Sequence, residues 1–251
     1  MMHDKGRAVM RRVLSVISTI IWLGLSSTAF SQTNLDAESD EVLKSVHAYM
    51  SGLDTLLVKA DIAEESVYGD THKLQFGGVL EIGIQRPAQF FAVYNSDFEN
   101  RRMYINDGTF TVFDEDVNVF AQTAAPGSLD EVFDRLHANF GINSPGGELF
   151  GGNAYELLVK NASKVIYVGV SNVNGTACHH IAGVLENMDW QLWVQKDGDP
   201  QLCKYVVTDR DVPLAPQFSI TFTKWAANAD ISAQAFEFQA PADAEAIEFV
   251  K

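Results

Sequence analysis

Cysteine, proline and basic residues are scarce in this sequence. Of its 251 residues, two are cysteine, seven are proline and 18 are lysine or arginine, against 33 aspartates and glutamates. The acidic balance argues against nucleic acid as a partner and limits membrane contact to transient encounters, because both surfaces are negatively charged. No proline-rich linker or block of charge divides the chain, so we expect a single folded domain.

The first 31 residues have the order of charges and apolar residues that is typical of a secretory signal peptide. Basic residues precede an apolar run over residues 13–25, which is shorter than the roughly 20 residues of a membrane-spanning helix. Ala29 and Ser31 are small residues that fit a cleavage before Gln32, and an uncleaved anchor is the alternative. We expect residues 32–251 to be released into the periplasm as a monomer, with 14 basic and 32 acidic residues and a net charge of −18.

Hydrophobic periodicity predicts three helices and a series of strands. The helical pattern covers residues 36–52, 129–140 and 153–160. A period of two begins near residue 56 and predicts strands at 74–85, 90–94, 102–106, 110–113, 117–122, 164–171, 176–185, 189–195, 201–209 and 217–223. Strands and helices do not alternate. We therefore predict an α+β fold, in which one curved and unclosed antiparallel sheet, a half-barrel, has helices covering one face.

Three motifs resemble those of the LolA and LolB lipoprotein carriers and occur in the same order. They are QRPAQF at residues 85–90, YINDGTF at 104–110 and FEFQAPADA at 236–244. Residues 178–194 are more similar to an uncharacterised branch of predicted periplasmic proteins related to these carriers. The resemblance implies a LolA-like, unclosed β-barrel around a cavity for acyl chains. It also implies that Arg86 matches the functional arginine of the carriers and Phe90 a cavity-side aromatic residue, although this chain is longer and lacks the LolB-type anchor.

Inward apolar side chains of the predicted sheet are the candidates for lining such a cavity. A packed core uses the same residue types, so a filled interior is the alternative. Arg86 ends an apolar strand, where it would hold the phosphate or carbonyl of a lipid headgroup or pair with a nearby carboxylate. The ligand-binding candidates are Arg86, Phe90, Leu80, Ile82, Val112, Trp193 and Phe222.

The helix predicted at residues 129–140 precedes a glycine-rich segment at 141–152, in which five of twelve residues are glycine. Such a segment has little local preference, so we expect a mobile connection and interpret the helix as a lid over the cavity. The alternative is a structural helix with a long surface loop. The apolar side of the lid would consist of Leu129, Phe133, Leu136 and Phe140.

Cys178 and Cys203 are the two cysteines of a chain expected in an oxidising compartment, which favours a disulfide. The strand at 189–195 lies between theirs in a simple meander, which would separate their Cα atoms by about 9 to 10 Å, too far for a bridge. A bulge, a bend at the sheet end or another strand order would be required. We predict a structural disulfide, and not a redox site, because no Cys-x-x-Cys motif is present.

The sequence contains no recognisable catalytic or metal-binding motif. His179 and His180 are adjacent, so on a strand they point to opposite faces and cannot bind one metal ion. No nucleophile elbow, His-Glu-x-x-His motif or phosphate-binding loop occurs. We therefore expect no enzyme and no cofactor, but a periplasmic carrier of a hydrophobic or acylated ligand, either a lipid or a lipoprotein. An envelope interaction module with a filled core is the main alternative, and a hydrolase ranks below both.

Overall fold

The computed structural model describes residues 34–69, 71–140, 147–160 and 162–249. The expected signal peptide and residues 141–146 of the glycine-rich segment lie outside the described residues. Helices in the described ranges are α1 (Ala37–Ser51), α2 (Leu129–Phe140) and α3 (Ala154–Val159), with short 3-10 helices at Gly147–Phe150 and Ala233–Phe236. None of the helices in these ranges has the length and apolar character needed to cross a bilayer.

Thirteen strands in the described ranges form one sheet. They are β1 (Asn34–Leu35), β2 (Thr55–Tyr68), β3 (His72–Gln85), β4 (Gln89–Ser96), β5 (Asn100–Asn106), β6 (Thr109–Asp114), β7 (Val119–Ala124), β8 (Lys164–Val173), β9 (Thr176–Val184), β10 (Met188–Gln195), β11 (Leu202–Asp209), β12 (Gln217–Ala227) and β13 (Glu245–Ile247).

The sheet is an unclosed, mainly antiparallel array whose order is β1-β8-β9-β10-β11-β12-β2-β3-β4-β5-β6-β7-β13. The short strands at its two ends are the parallel ones, since β1 pairs with β8 and β13 with β7. Pairing of β12 with β2 joins the two antiparallel meanders into one surface. The predicted fold class is confirmed, while the periodicity did not predict the two parallel end strands or the two short 3-10 helices.

The two faces of the sheet are covered differently. The inner face, which carries Leu80, Ile82 and Leu192, packs in one core with the apolar residues of α1, α2 and α3. The outer face is partly covered by the C-terminal FEFQAP motif, where the buried ring of Phe236 lies 5.6 Å from that of Phe91. The motif that suggested the family therefore has a packing role on the outside of the sheet.

Helix α1 is fixed to the sheet by its N-terminal cap. One carboxylate oxygen of Asp36 accepts a hydrogen bond from the backbone of Ser39 at 2.7 Å, and the other accepts one from the backbone of Tyr167 in β8 at 2.6 Å. The first bond satisfies a free amide in the first turn of the helix. The second sets the position of that turn against β8, so a single side chain determines both the start and the attachment of α1.

Strand β3 has a dry face along only part of its length. Leu80, Ile82 and Ile84 are buried, whereas Leu74 is 48% exposed. The reason is that β4 pairs only with the second half of β3, from Gly78 onward. The end of the β2–β3 hairpin that carries the turn therefore projects beyond the sheet, and Leu74 is exposed there.

Cys178 and Cys203 form a disulfide with their Cα atoms 6.9 Å apart, although β10 lies between their strands. The register of β10 and β11 shifts between Trp193 and Val194, and Cys203 is the extra residue at that shift. Cys178 lies opposite Gln195, the last residue of β10. A bulge near the ends of these strands thus reduces the distance between the two Cα atoms below that of a regular meander.

Replacing both Cys178 and Cys203 by alanine is expected to lower the free energy of unfolding by about 3 kcal/mol, because the bond closes a loop of 25 residues in the unfolded chain. Urea unfolding of the variant and of the reduced wild type should show equal losses, while Ala177→Ser, an exposed neighbour, should show none. An unfolding curve that does not respond to the double replacement would contradict the structural role.

Candidate functional site

A cavity of about 420 Å³ opens on the inner face of the sheet, between β2, β12 and strands β3 to β7. Most of its wall is apolar and comes from side chains that share the inward register of neighbouring strands. This apolar lining consists of Leu80, Ile82, Ala92, Met103, Phe110, Val112, Val119, Ala121, Phe218, Ile247 and Phe249. The polar lining, called here the polar end of the cavity, consists of Glu64, Tyr94, Glu99, Arg101 and Asp114.

The cavity exists because the helices leave part of the inner face uncovered. Helix α1 packs beside β8, and α2 reaches the sheet through Phe133, whose ring lies 5.2 Å from that of Phe90. Farther along, the inner face is covered by Phe249 of the C-terminal tail, with its ring 5.9 Å from Phe110. A side chain of the tail, and not a helix, thus covers this part of the inner face.

The polar end is organised by two sets of contacts. The hydroxyl of Tyr94 donates a hydrogen bond to Glu64 at 3.1 Å, and Arg101 lies 2.7 Å from a carboxylate oxygen of Glu99 and 3.9 Å from one of Asp114. Burial, together with the negative charge of Glu64, raises the pKa of Tyr94 to about 12. Tyr94 thus keeps its proton, and remains a donor to the carboxylate, to a higher pH than an ordinary tyrosine does.

Leu80, Ile82 and Val112 are the predicted ligand-binding residues that line the cavity. They lie in the inward register of β3 and β6, next to Ala92 and Met103 of the strands between them. Period-two reasoning gave the inward direction of these three side chains because their strands are long, regular and antiparallel, so that one known inward residue fixes the direction of its neighbours. That they bind a ligand stays a prediction.

Phe90 and Phe222 do not reach the cavity lining. Phe90 is buried deeper, edge-on to Phe133 of α2. Phe222 lies on the part of β12 that faces the 3-10 helix at 147–150, with its ring 6.1 Å from that of Phe150. Both residues pack in the core under the helices. The sequence alone could not decide whether they would lie in such a core or in a cavity wall.

Trp193 lies on the outer face. It follows Leu192, which faces inward, and consecutive strand residues point to opposite sides. Its ring stacks on His180 at 4.1 Å between centroids, and the ammonium of Lys204 lies 5.5 Å from the ring centroid. Burial lowers the pKa of His180 in this stack. Trp193 therefore packs on the outside of the sheet, whereas the side chain of Trp190 enters the core.

Arg86 connects the sheet to two helix ends. Its guanidinium donates to the carbonyl of Phe150 at 3.0 Å and to that of Met50, at the end of α1, at 3.4 Å. These carbonyls carry partial negative charge because they end helical turns. No ion pair among the described residues involves Arg86, and its buried Nε has no hydrogen-bond partner there. Arg86 is not part of the cavity lining.

The predicted lid is helix α2, and its apolar residues all contact the body of the protein. Leu129 and Leu136 are buried, and Phe133 and Phe140 pack against the cluster. The ring of Phe140, the last residue of α2, lies 4.7 Å from that of Phe249. The end of α2 and the C-terminal tail therefore meet beside the cavity.

Sequence reasoning missed the C-terminal tail and the acidic residues of the cavity. Ile247 and Phe249 are two residues apart, which is a period-two signal, but the run is too short to identify a strand without the structure. Glu64 follows Ala60 and Ile62 in the inward register of β2. Its carboxylate follows two apolar inward residues of the same strand, and this change from apolar to acidic is the signal that could have identified Glu64.

Comparison with known proteins places the chain in a family. A family model described as "Predicted periplasmic protein (DUF2092)" matches residues 39–250. No protein with a curated description matches the chain. An uncharacterized conserved protein from Thermus thermophilus shares the fold, with a TM-score of 0.50 and 10% identity over 84% of this chain and 99% of that one.

Two further solved structures are less similar. LprF from Mycobacterium bovis has a TM-score of 0.48 and 12% identity, covering 83% of this chain and 98% of its own. A putative outer membrane lipoprotein-sorting protein domain from Vibrio parahaemolyticus has a TM-score of 0.36 and 8% identity, covering 78% and 94%. The family match extends over nearly all the described residues. The chain therefore belongs to the DUF2092 family of predicted periplasmic proteins.

Proposed function

We propose that the protein binds and carries a hydrophobic or acylated ligand, a lipid or the acyl chain of a lipoprotein, without catalysing a reaction. The observation that supports this function is the cavity of about 420 Å³ with a mainly apolar wall. Its volume lies in the range of roughly 300–1,000 Å³ found for ligand pockets. The periplasmic family and the order of the carrier-like motifs are consistent with the same role.

The strength of such binding suits a carrier that must also release its cargo. Burial of about ten methylene groups at roughly 0.8 kcal/mol each gives about 8 kcal/mol. This corresponds to a dissociation constant near micromolar before ordering costs are included. Residues such as Leu80, Met103 and Val112 provide apolar contact without a polar group that would fix one particular chain.

Ligand access in this proposal requires movement of the C-terminal tail and of α2. Phe249 is part of the cavity wall and contacts Phe140 of α2. Arg86 holds the Phe150 carbonyl and thereby the 3-10 helix that follows α2 in the chain. Because Arg86 lies outside the cavity lining, its role in this proposal is to hold that segment in place.

A neutral fluorescent probe, N-phenyl-1-naphthylamine, tests occupancy of the cavity directly. The wild type is expected to bind it at about micromolar concentration, and Val112→Trp, which fills the cavity, should weaken binding by at least about tenfold. Val79→Trp on the exposed outer side of β3 is the matched control and should bind like the wild type. Thermal unfolding confirms that both variants fold. A wild type that takes up no probe, and that co-purifies with no lipid by mass spectrometry, would contradict the function.

Arg86→Ala is expected to loosen the segment that Arg86 holds, because two carbonyls lose a charged donor at a typical cost of about 1.5–3 kcal/mol. Amide hydrogen exchange at residues 147–160 should become faster, and Arg86→Lys should give an intermediate effect. Arg102→Ala, which removes a surface ion pair with Glu115, is the control. Equal exchange at residues 147–160 in the Arg86→Ala and Arg102→Ala proteins would show that Arg86 does not hold this segment.

A further inference from the structure

We infer that the cavity selects amphiphiles whose polar end carries an amine over those of equal chain length that end in a carboxylate or phosphate. This inference rests on the proposed function and specifies its ligand class. It comes from the polar end of the cavity, where three carboxylates accompany a single guanidinium. An apolar chain lying along the inner face would place its headgroup among these charges.

The polar end forms a row across neighbouring strands. Tyr94 lies opposite Arg101, and Arg101 lies opposite Asp114, so the three side chains occupy one level of β4, β5 and β6. Glu99 lies between β4 and β5, next to this row. Side chains of Glu99, Arg101 and Asp114 are 37%, 39% and 29% exposed. The row is therefore reachable from solvent, and the apolar lining begins directly beside it.

The charges of the row do not cancel. Arg101 pairs closely with Glu99 at 2.7 Å and more distantly with Asp114 at 3.9 Å, so its single positive charge faces two carboxylates. Glu64 takes part in no ion pair among the described residues, and it accepts its hydrogen bond from the Tyr94 hydroxyl. Tyr94 is a neutral donor at physiological pH, as an ordinary tyrosine is, and its pKa is raised further to about 12. Two negative charges thus remain without a matching cation among the residues that line the cavity.

An ammonium headgroup complements this arrangement. It supplies a positive charge for Glu64 and a second one for Asp114, which shares Arg101 with Glu99, and charge-assisted hydrogen bonds to carboxylates are stronger than those between neutral groups. A carboxylate or phosphate headgroup would add negative charge to a partly dry site in a chain whose net charge is already −15. The apolar wall makes these interactions stronger than they would be in water.

Competition between three ligands of equal chain length tests the inference. Dodecylamine, dodecanol and dodecanoate are titrated against N-phenyl-1-naphthylamine bound to the wild-type protein, near pH 7 and below the micelle concentrations. Dodecylamine is expected to compete at a concentration at least about tenfold below that of dodecanoate, with dodecanol between them. Raising the salt from about 20 mM to about 500 mM should reduce the difference, because screening weakens partly exposed charge pairs.

A triple variant assigns the preference to the row. Glu64→Gln, Glu99→Gln and Asp114→Asn together should abolish the preference for the amine while the neutral probe still binds. The matched control, Glu41→Gln, Asp61→Asn and Glu186→Gln, removes the same number of carboxylates at exposed positions outside the cavity lining and should retain the preference. If the cavity variant fails to fold, the salt dependence of the wild type remains as the test.

The results separate the inference from the function on which it rests. Equal competition by amine and carboxylate, a preference for carboxylate, or loss of the preference in the control triple would overturn the inference and leave carriage intact. Absence of probe binding to the wild type would overturn the proposed function itself.

Discussion

An unclosed sheet has to shield one apolar face from water, and the way in which that face is covered determines the remaining features of this molecule. Helices α1, α2 and α3 pack with the inner face near Phe90, Trp190 and Leu192 and fill the space there. Beyond Phe90 the inner face is covered by a few residues of the C-terminal tail and not by helices. Phe249 is the last described residue of this tail. A short segment cannot fill the volume that a helix would occupy, and a cavity remains.

The C-terminal segment links the two faces of the sheet. Phe236 and Phe238 pack on the outer face, where Phe238 contacts the rings of Tyr104, Phe113 and Phe120. The chain then reaches the edge of the sheet, where β13 pairs with β7 over three residues. This path delivers Ile247 and Phe249 to the cavity wall. The motif that resembles the carriers therefore acts as an anchor from which the tail reaches the inner face.

Much of the fold was predictable because local rules and tertiary packing agree. Asp107 and Gly108, with φ of 48° and 69°, form the tight turn expected of an Asp-Gly pair between strands. The site was less predictable, since alternation tells that Leu192 and Trp193 face opposite sides but not which side the helices cover. The bulge at Cys203, the carbonyl partners of Arg86 and the short strand β13 all depend on contacts distant in sequence, which no local pattern records.

The cavity combines an apolar wall, which suits a hydrocarbon chain, with a negatively charged end. A purely apolar space would accept any chain, whereas this one is also lined by Glu64 and Asp114, from which we infer a preference for one class of headgroup. The proposed carriage requires that a hydrocarbon chain can lie in this space. A crystal structure of the protein with 12-bromododecanol tests it most directly, since the bromine is located by its anomalous signal. We expect a bromine peak among Leu80, Met103 and Val112. A space filled by side chains, or a bromine bound only outside the sheet, would contradict it.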